Sequence, residues 1–283
     1  MLAAAALVAV TTLLAKALGR GIGGEPLPPF MVSAGRFAFA WLTLLPFVAW
    51  LRPSFKGAAW RLHAARSLCG WAGVSGMFAA AAVLPLADAT AISFLNPMIA
   101  MVLAIPLLGE RVGRWRWGAA GAALVGALVL IRPGVAAFEP YALVALAAAM
   151  FMAFEVIVVK MLAGSATKAG EPAIRILFIN NSIGATIAIA AAAIVWVSPT
   201  PMQWLMLAAV GVVMVTVQTL FIQALKRADA SFVMPFFYAT LIFAALYDAA
   251  VFGDVPTALS ALGAALIIAG AVVLAWRERV RRA

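Results

Sequence analysis

Residues 84–126 read LPLADATAISFLNPMIAMVLAIPLLGERVGRWRWGAAGAALVG, and residues 225–270 read LKRADASFVMPFFYATLIFAALYDAAVFGDVPTALSALGAALIIAG. Both contain Ala-Asp-Ala, an apolar run holding a proline (Pro97, Pro235), a Gly-acid pair (Gly109-Glu110, Gly253-Asp254) and a second apolar run closing on glycine. Asp88 and Asp229 lie 141 positions apart, and Gly109 and Gly253 lie 144 apart. A period near half the chain length marks a duplicated fold.

What is duplicated follows from composition. The chain has 283 residues, 66% hydrophobic and 11% charged, with mean hydropathy +1.10. That charged fraction is about half of a soluble domain's, and no soluble core hides so much apolar surface. The alternation of a membrane barrel is absent, so the fold class is all-α integral membrane. Apolar runs of spanning length number ten, at 2–18, 30–51, 65–84, 90–108, 115–131, 141–161, 173–197, 202–225, 231–252 and 257–276. Each needs about 20 residues to cross the hydrocarbon. No cleavable leader is expected, because Lys16 at the end of span one has a counterpart in Lys160.

With ten spans, fifteen of the 20 Lys and Arg residues fall on the face holding both termini, Arg66, Arg116 and Lys160 among them. Only Arg20 and Arg132 fall on the other; Lys16, Arg36 and Arg175 lie within or at the ends of spans. This asymmetry places both termini in the cytoplasm. The net charge of +10 is thereby a topology signal directed at anionic lipid, and no nucleic-acid partner is needed. Two units follow, 1–138 and 139–283. Each holds five spans, an odd number, so the second enters the membrane in the opposite sense. Inverted repeats of this kind build secondary transporters, where two nearly equivalent packings open a central site to alternate sides.

The chain resembles the ten-helix drug/metabolite transporter superfamily, in its EamA-type branch. The resemblance covers essentially the whole sequence. It rests on the two five-span halves, Arg36-Phe37 in span two, Ala-Asp-Ala entering spans four and nine, Pro97 and Pro235, and Gly109-Glu110-Arg111-Val112. After its glycine, Gly253, the second copy keeps only the acid of that last motif, as Asp254. The resemblance implies a bacterial inner-membrane transporter, with a cavity formed mainly by spans one, three, four, six, eight and nine. By analogy with YddG-type exporters, the cargo would be amino acids, including aromatic ones, moved outward. Other metabolites, drugs and organic cations are the alternative, and a monomer or weak homodimer is the expected state.

Several residues are candidates for the substrate pathway. Pro97 and Pro235 each remove a helical hydrogen bond, about seven and about four residues into their spans, and helices broken in corresponding spans point to a binding site; passive kinking is the plainer reading. Ser93, Phe94 and Asn96 surround the first proline, and Phe237 and Tyr238 follow the second. Asn96 should face protein or a wet cavity, since its amide would be unpaired in lipid. Rings there offer stacking for flat or cationic cargo, or are ordinary core. Trp71 and Phe78 share a face of span three as cavity walls. Glu155, an intramembrane carboxylate, binds a substrate ammonium, cycles a proton, or forms a structural pair with Lys16 or Arg36. Asp248 carries the same ambiguity nearer an interface. Arg36 reads as structural, its stem long enough to snorkel outward. Gln218 lines a pathway or a packing seam, and Asn180 and Asn181 read as bonds to neighbouring helices. Gly118, Ala122 and Gly126 in span five, with Ala261, Ala265 and Ala269 in span ten, read as close-packing seams.

Enzymatic chemistry is not expected. Gly73-Val74-Ser75-Gly76 matches the short pattern around an intramembrane-protease serine, but the sole histidine, His63, falls in the loop before span three, too far to act as its base. No phosphate-binding loop, metal cluster, cofactor motif or catalytic residue is read, and Cys69 is the only cysteine. A non-transporting scaffold is the remaining, least favoured reading.

Overall fold

The computed structural model describes residues 1–83, 92–131, 142–164, 170–252 and 258–282, and all regular structure among them is helical. The helices are α1 (Leu2–Gly19), α2 (Pro29–Leu51), α3 (Trp60–Val83), α4 (Asn96–Leu108), α5 (Arg114–Ile131), α6 (Ala142–Ala163), α7 (Ala173–Ile194) and α8 (Pro201–Arg227). Span nine is composite: α9 (Ala230–Val233), a 3-10 turn (Met234–Tyr238) and α10 (Ala239–Phe252). Then follows α11 (Ala258–Arg282). Six described stretches are long and apolar enough to cross a membrane.

Local sequence explains the boundaries. Pro28 and Pro172 sit at the N-caps of α2 and α7, where a missing N–H costs little. Thr200 and Gln203 form a reciprocal capping box that starts α8. Gly109 ends α4 with φ 69°, a left-handed turn that glycine adopts without strain. Two expectations change here. Pro97 lies in the first turn of α4 rather than well inside a helix: Phe94 and Leu95 form a turn, and α4 starts at Asn96. Among the described residues, the prolines interior to helices are Pro46 in α2 and Pro106 in α4. His63 lies inside α3 rather than in a loop; it is 1% exposed and its Nε2 meets Glu171 Oε2 at 2.9 Å.

The helices pair mainly between the halves. α1 packs on α8 and α10, α3 on α6, α4 on α6, α2 on α7 and α8, and α5 on α11. Moving each span by five exchanges α1–α8 with α6–α3 and carries α2–α7 and α5–α11 onto themselves. The self-paired helices run antiparallel. A Cβ on Gly126 would come 2.6 Å from the Gly263 carbonyl, and one on Gly270 would come 2.8 Å from that of Ala119. These two contacts are the same contact shifted by 144 positions, with the order along α5 the reverse of that along α11. Along α2 and α7 the order is likewise reversed: Phe37 meets Gly184 and Trp41 Nε1 donates to Ser182 Oγ at 3.0 Å.

The seam faces differ from those the spacing suggested. Gly118, Ala261, Ala265 and Ala269 are exposed, whereas Ala119, Ala123, Gly126, Gly263, Ile267 and Gly270 are buried. Four-residue spacing of small residues occurs on several faces of these helices, and only packing selects one.

At the end of the bundle where α8 meets α9, Glu110 of the first half caps the second. Its carboxylate accepts the backbone N–H groups of Ala230 (2.7 Å) and Ser231 (2.9 Å) and the Ser231 hydroxyl (2.6 Å). Asp229 occupies the N-cap position without capping; its carboxylate accepts Arg116 Nη1 at 2.9 Å, and the same Nη1 donates to Ser231 Oγ at 2.7 Å. Lys160 Nζ donates to the carbonyls of Leu225 and Ala228. Arg116 and Lys160, sorted above as surface topology charges, are therefore buried ties between elements. The first-copy Ala-Asp-Ala (87–89) and the Gly253-Asp254 pair lie outside the described residues.

Candidate substrate site

Gly70, Gly73 and Gly76 recur every third residue on one face of α3. Each stands against a residue of α6: Glu155, Met152 and Ala148 respectively. A Cβ on Gly70 would come 3.1 Å from the Glu155 carboxylate, and one on Gly73 would come 2.6 Å from Met152 Cγ. The missing side chains let two helices approach closely, and that approach sets Glu155 against α3. The spacing was present in the sequence as a packing signal.

Beside Glu155 stands Arg66, one helical turn before Gly70. Its Nε lies 3.7 Å from Glu155 Oε1, with side-chain exposures of 4% for Arg66 and 30% for Glu155. Nη1 donates to the Ile176 carbonyl of α7 at 3.1 Å, and Nη2 reaches Gln218 Oε1 of α8 at 3.5 Å. Ser67 donates to Asn180 Oδ1 at 3.3 Å. Arg36 is close enough for its charge to act on Glu155, and its guanidinium lies 4.2 Å from the Phe37 ring centroid. Arg36 thus acts on this cluster, as one of the two partners that the sequence offered for Glu155. Two guanidinium groups and one carboxylate share a low-dielectric volume where charges interact strongly. Next to it, through Gly70, lies a small cavity lined by Phe30, Ser33, Phe37, Trp71, Val74, Ala188 and Ala191.

A second locus forms where the two helix breaks meet. Tyr238 is fully buried, and its hydroxyl donates to the Phe94 carbonyl at 2.8 Å; the rings lie 5.8 Å apart. Phe94 and Tyr238 are 144 positions apart, as are Asn96 and Thr240. Asn96 Oδ1 and Thr240 Oγ1 are both buried without a hydrogen-bond partner. Pro97 and Pro235 are buried beside them, and Phe237 is half-buried. Ser93, in the short helical piece before the turn, is likewise partly buried. Helix α6 separates the two loci: Glu155 faces α3, while Ala153 and Val156 join Ala100, Met101 and Met234 in a core cluster.

Of the residues anticipated from sequence, Glu155, Gln218 and Trp71 gather at the first locus. Phe94, Asn96, Pro97, Pro235, Phe237 and Tyr238 gather at the second. The side chains of Phe78 and Asp248 lie outside those described. Asn181 binds its own helix, donating to the Leu177 carbonyl at 2.8 Å, rather than a neighbour, because its amide points back along the preceding turn. Arg66 was missed; six residues into a helix on the positively charged side, it reads as an interfacial cation until the fold turns it inward. A cleft of about 750 Å³ lies elsewhere, between Met1–Ala3, the α8 end (Ala224, Arg227, Ala228), Phe232, Val233, Phe236 and Ala275. It touches the second locus through the Phe232–Phe236 edge-to-face pair at 5.4 Å. Among the described residues no group of His, Cys, Asp and Glu side chains forms a metal site.

Comparison with known proteins bears on this arrangement. Residues 1–132 and 140–276 each match the model of the EamA-like transporter family. An S-adenosylmethionine uptake transporter of Rickettsia bellii is 28% identical over 258 residues, covering 90% of this chain and 87% of that protein. A riboflavin transporter of Vibrio cholerae is 28% identical over 261 residues, covering 90% and 86%. The pseudopaline exporter CntI of Pseudomonas aeruginosa is 27% identical over 207 residues, covering 71% and 70%. A solved structure superposes with a TM-score of 0.82 over 98% of this chain and 97% of its own, at 21% identity.

Proposed function

The chain belongs to the EamA-like transporter family, as a multi-pass protein of the bacterial inner membrane and not an enzyme, and from that premise we propose alternating-access transport of amino acids and related small amphiphilic metabolites. The two halves, 1–138 and 139–283, act as inverted five-span repeats with cytoplasmic termini, and the transport unit is a single chain. The observation carrying this reading is the antiparallel, 144-shifted contact of α5 with α11, Gly126 on Gly263 and Gly270 on Ala119. Equivalent halves related by a two-fold axis have two packings of similar energy, which is what alternation between sides requires. The hinges are the proline-flanked breaks at Phe94–Pro97 and Met234–Tyr238, where few helical hydrogen bonds resist bending.

The cargo meets the Arg66–Glu155–Gln218 cluster and the rings of Phe37 and Trp71, a combination suited to a molecule with a charged end and an apolar or flat body. Relatives named for S-adenosylmethionine, riboflavin and pseudopaline support a small-metabolite cargo of that general build. They include an uptake transporter and an exporter, so direction follows the gradients across the membrane. Organic cations are the second reading, favoured by Glu155 beside aromatic rings. Purified protein in liposomes is expected to give saturable flux of a labelled amino acid, S-adenosylmethionine, riboflavin or an organic cation. Absence of saturable flux for every one of them would overturn the proposal.

A further inference from the structure

Arg66 is the cation of this cluster that no family motif or sequence signal marks, and its geometry is unlike that of a finished structural ion pair. We propose that Arg66 is the specificity-determining residue of the site: it anchors the carboxylate of a zwitterionic cargo whose ammonium goes to Glu155. The inference rests on the reading of Glu155 as part of the substrate pathway.

Three observations carry it. First, the guanidinium is buried but incompletely engaged. It has five N–H donors in a rigid fork, yet Nε has no hydrogen-bond partner. The Nε–Glu155 separation of 3.7 Å exceeds hydrogen-bond distance, and the Nη2–Gln218 contact of 3.5 Å is at its limit. A carboxylate oxygen arriving beside Nε would complete the fork in the bidentate geometry that arginine favours. Second, the charges do not cancel. The charges of Arg66 and Arg36 both act on one carboxylate, Glu155, so these three groups carry an excess positive charge in a medium that screens it poorly. Third, Glu155 is 30% exposed while Arg66 is 4% exposed. The carboxylate can therefore turn to an incoming ammonium while the guanidinium, tied to the Ile176 carbonyl at 3.1 Å, stays in place.

The cargo then replaces the internal ion pair by two intermolecular ones and, being zwitterionic, leaves the net charge of the site unchanged. An amine without a carboxylate adds a cation to a site already positive, and should be rejected. A carboxylate without an amine satisfies Arg66 but leaves Glu155 competing for it, and should be intermediate.

The test uses matched probes in proteoliposomes of the full chain: phenylalanine, 3-phenylpropionate and phenethylamine, which share one ring and differ only at the polar end. Wild type should transport phenylalanine at least about tenfold better, in apparent Vmax/KM, than phenethylamine. Arg66→Gln should lose phenylalanine transport and gain phenethylamine transport, since Glu155 then faces a less positive site; a purely structural role for Arg66 gives no such gain. Arg66→Lys keeps the charge without the fork and should raise the phenylalanine KM by about tenfold with a smaller change in Vmax. Phenethylamine moving as well as phenylalanine in wild type overturns the proposal without needing any variant to fold. So does an unchanged phenylalanine KM in a monodisperse Arg66→Gln protein. Flux of S-adenosylmethionine or riboflavin with none of the three probes moving removes the Arg66 role and leaves the transporter reading standing. No flux of any compound overturns both.

Discussion

Replacing Glu110 by alanine is the sharpest single perturbation of the tie between the halves. Its carboxylate accepts three hydrogen bonds, from Ala230 N, Ser231 N and Ser231 Oγ, all between 2.6 and 2.9 Å. Alanine leaves two first-turn N–H groups of span nine without an acceptor, and Asp229 cannot replace it, because Arg116 holds it 2.9 Å away. Loss of an N-cap costs about 0.5–2 kcal/mol, and hydrogen bonds to a charged group contribute about 1.5–3 kcal/mol each. The three share one carboxylate and are not additive, and the site is only partly buried, so the expected total is about 3 kcal/mol, or about a hundredfold in an equilibrium constant. Glu110→Gln keeps one acceptor oxygen and should lose about half as much. Unfolding in mixed micelles titrated with SDS reads these differences, and a double-mutant cycle with Ser231→Ala should return a coupling of about 1 kcal/mol or more. A Glu110→Ala protein within about 0.5 kcal/mol of wild type, or strict additivity with Ser231→Ala, would refute the capping role.

Other outcomes follow from the same contacts. Glu155→Gln leaves Arg66 without its ion-pair partner; flux should fall at least about tenfold, with destabilisation of about 3 kcal/mol as for a broken buried pair, and undiminished flux would remove Glu155 from the pathway. Glu171 lies outside the spans: burial pushes its carboxyl up, but the Ala59 N–H, His63 and Arg175 outweigh that and hold it below its ordinary value of 4.5. Its contribution to stability is therefore complete above that pH and lost as pH falls through the lowered value. Melting temperature should drop more steeply on acidification below pH 4.5 in wild type than in Glu171→Gln, and parallel curves would contradict this. Gly126→Ala and Gly270→Ala should each destabilise by about 1–3 kcal/mol through overpacking, to similar extents because their contacts are two-fold related. Gly118→Ala, with nothing within 4 Å, should be neutral or slightly stabilising in the same unfolding assay; a destabilised Gly118→Ala would mean that another face forms the seam.

Much of the architecture was legible because its signals are one-dimensional. Hydropathy placed the spans, and α1, α2, α5 and α6 begin within a residue of their apolar runs. The candidate site was legible in fragments. Glu155 stood out because a carboxylate in a span needs a reason, and Tyr238 because a buried hydroxyl needs a partner; it found one in the Phe94 carbonyl. Arg66 stayed hidden because whether a cation near a span end faces lipid headgroups or protein is a rotation about the helix axis, and α3 has no strong apolar stripe to set it. Pro97 was placed too deep because hydropathy does not register a turn at Phe94 and Leu95 within an apolar run.

By itself the sequence determined that this is a duplicated membrane protein of a transporter family, since apolar length, repeat period and motif identity survive in any arrangement of the spans. Only the tertiary structure decided which faces meet. It chose Gly126 and Gly270 over Gly118 and Ala265 for the α5–α11 seam, set Glu110 on the start of span nine, and brought Arg66 to Glu155 across 89 positions of chain. The physical reason is that small and apolar residues occur all round these helices, so burial is degenerate in one dimension. The degeneracy is lifted when backbones approach closely enough for a single Cβ, or a single unpaired charge, to count.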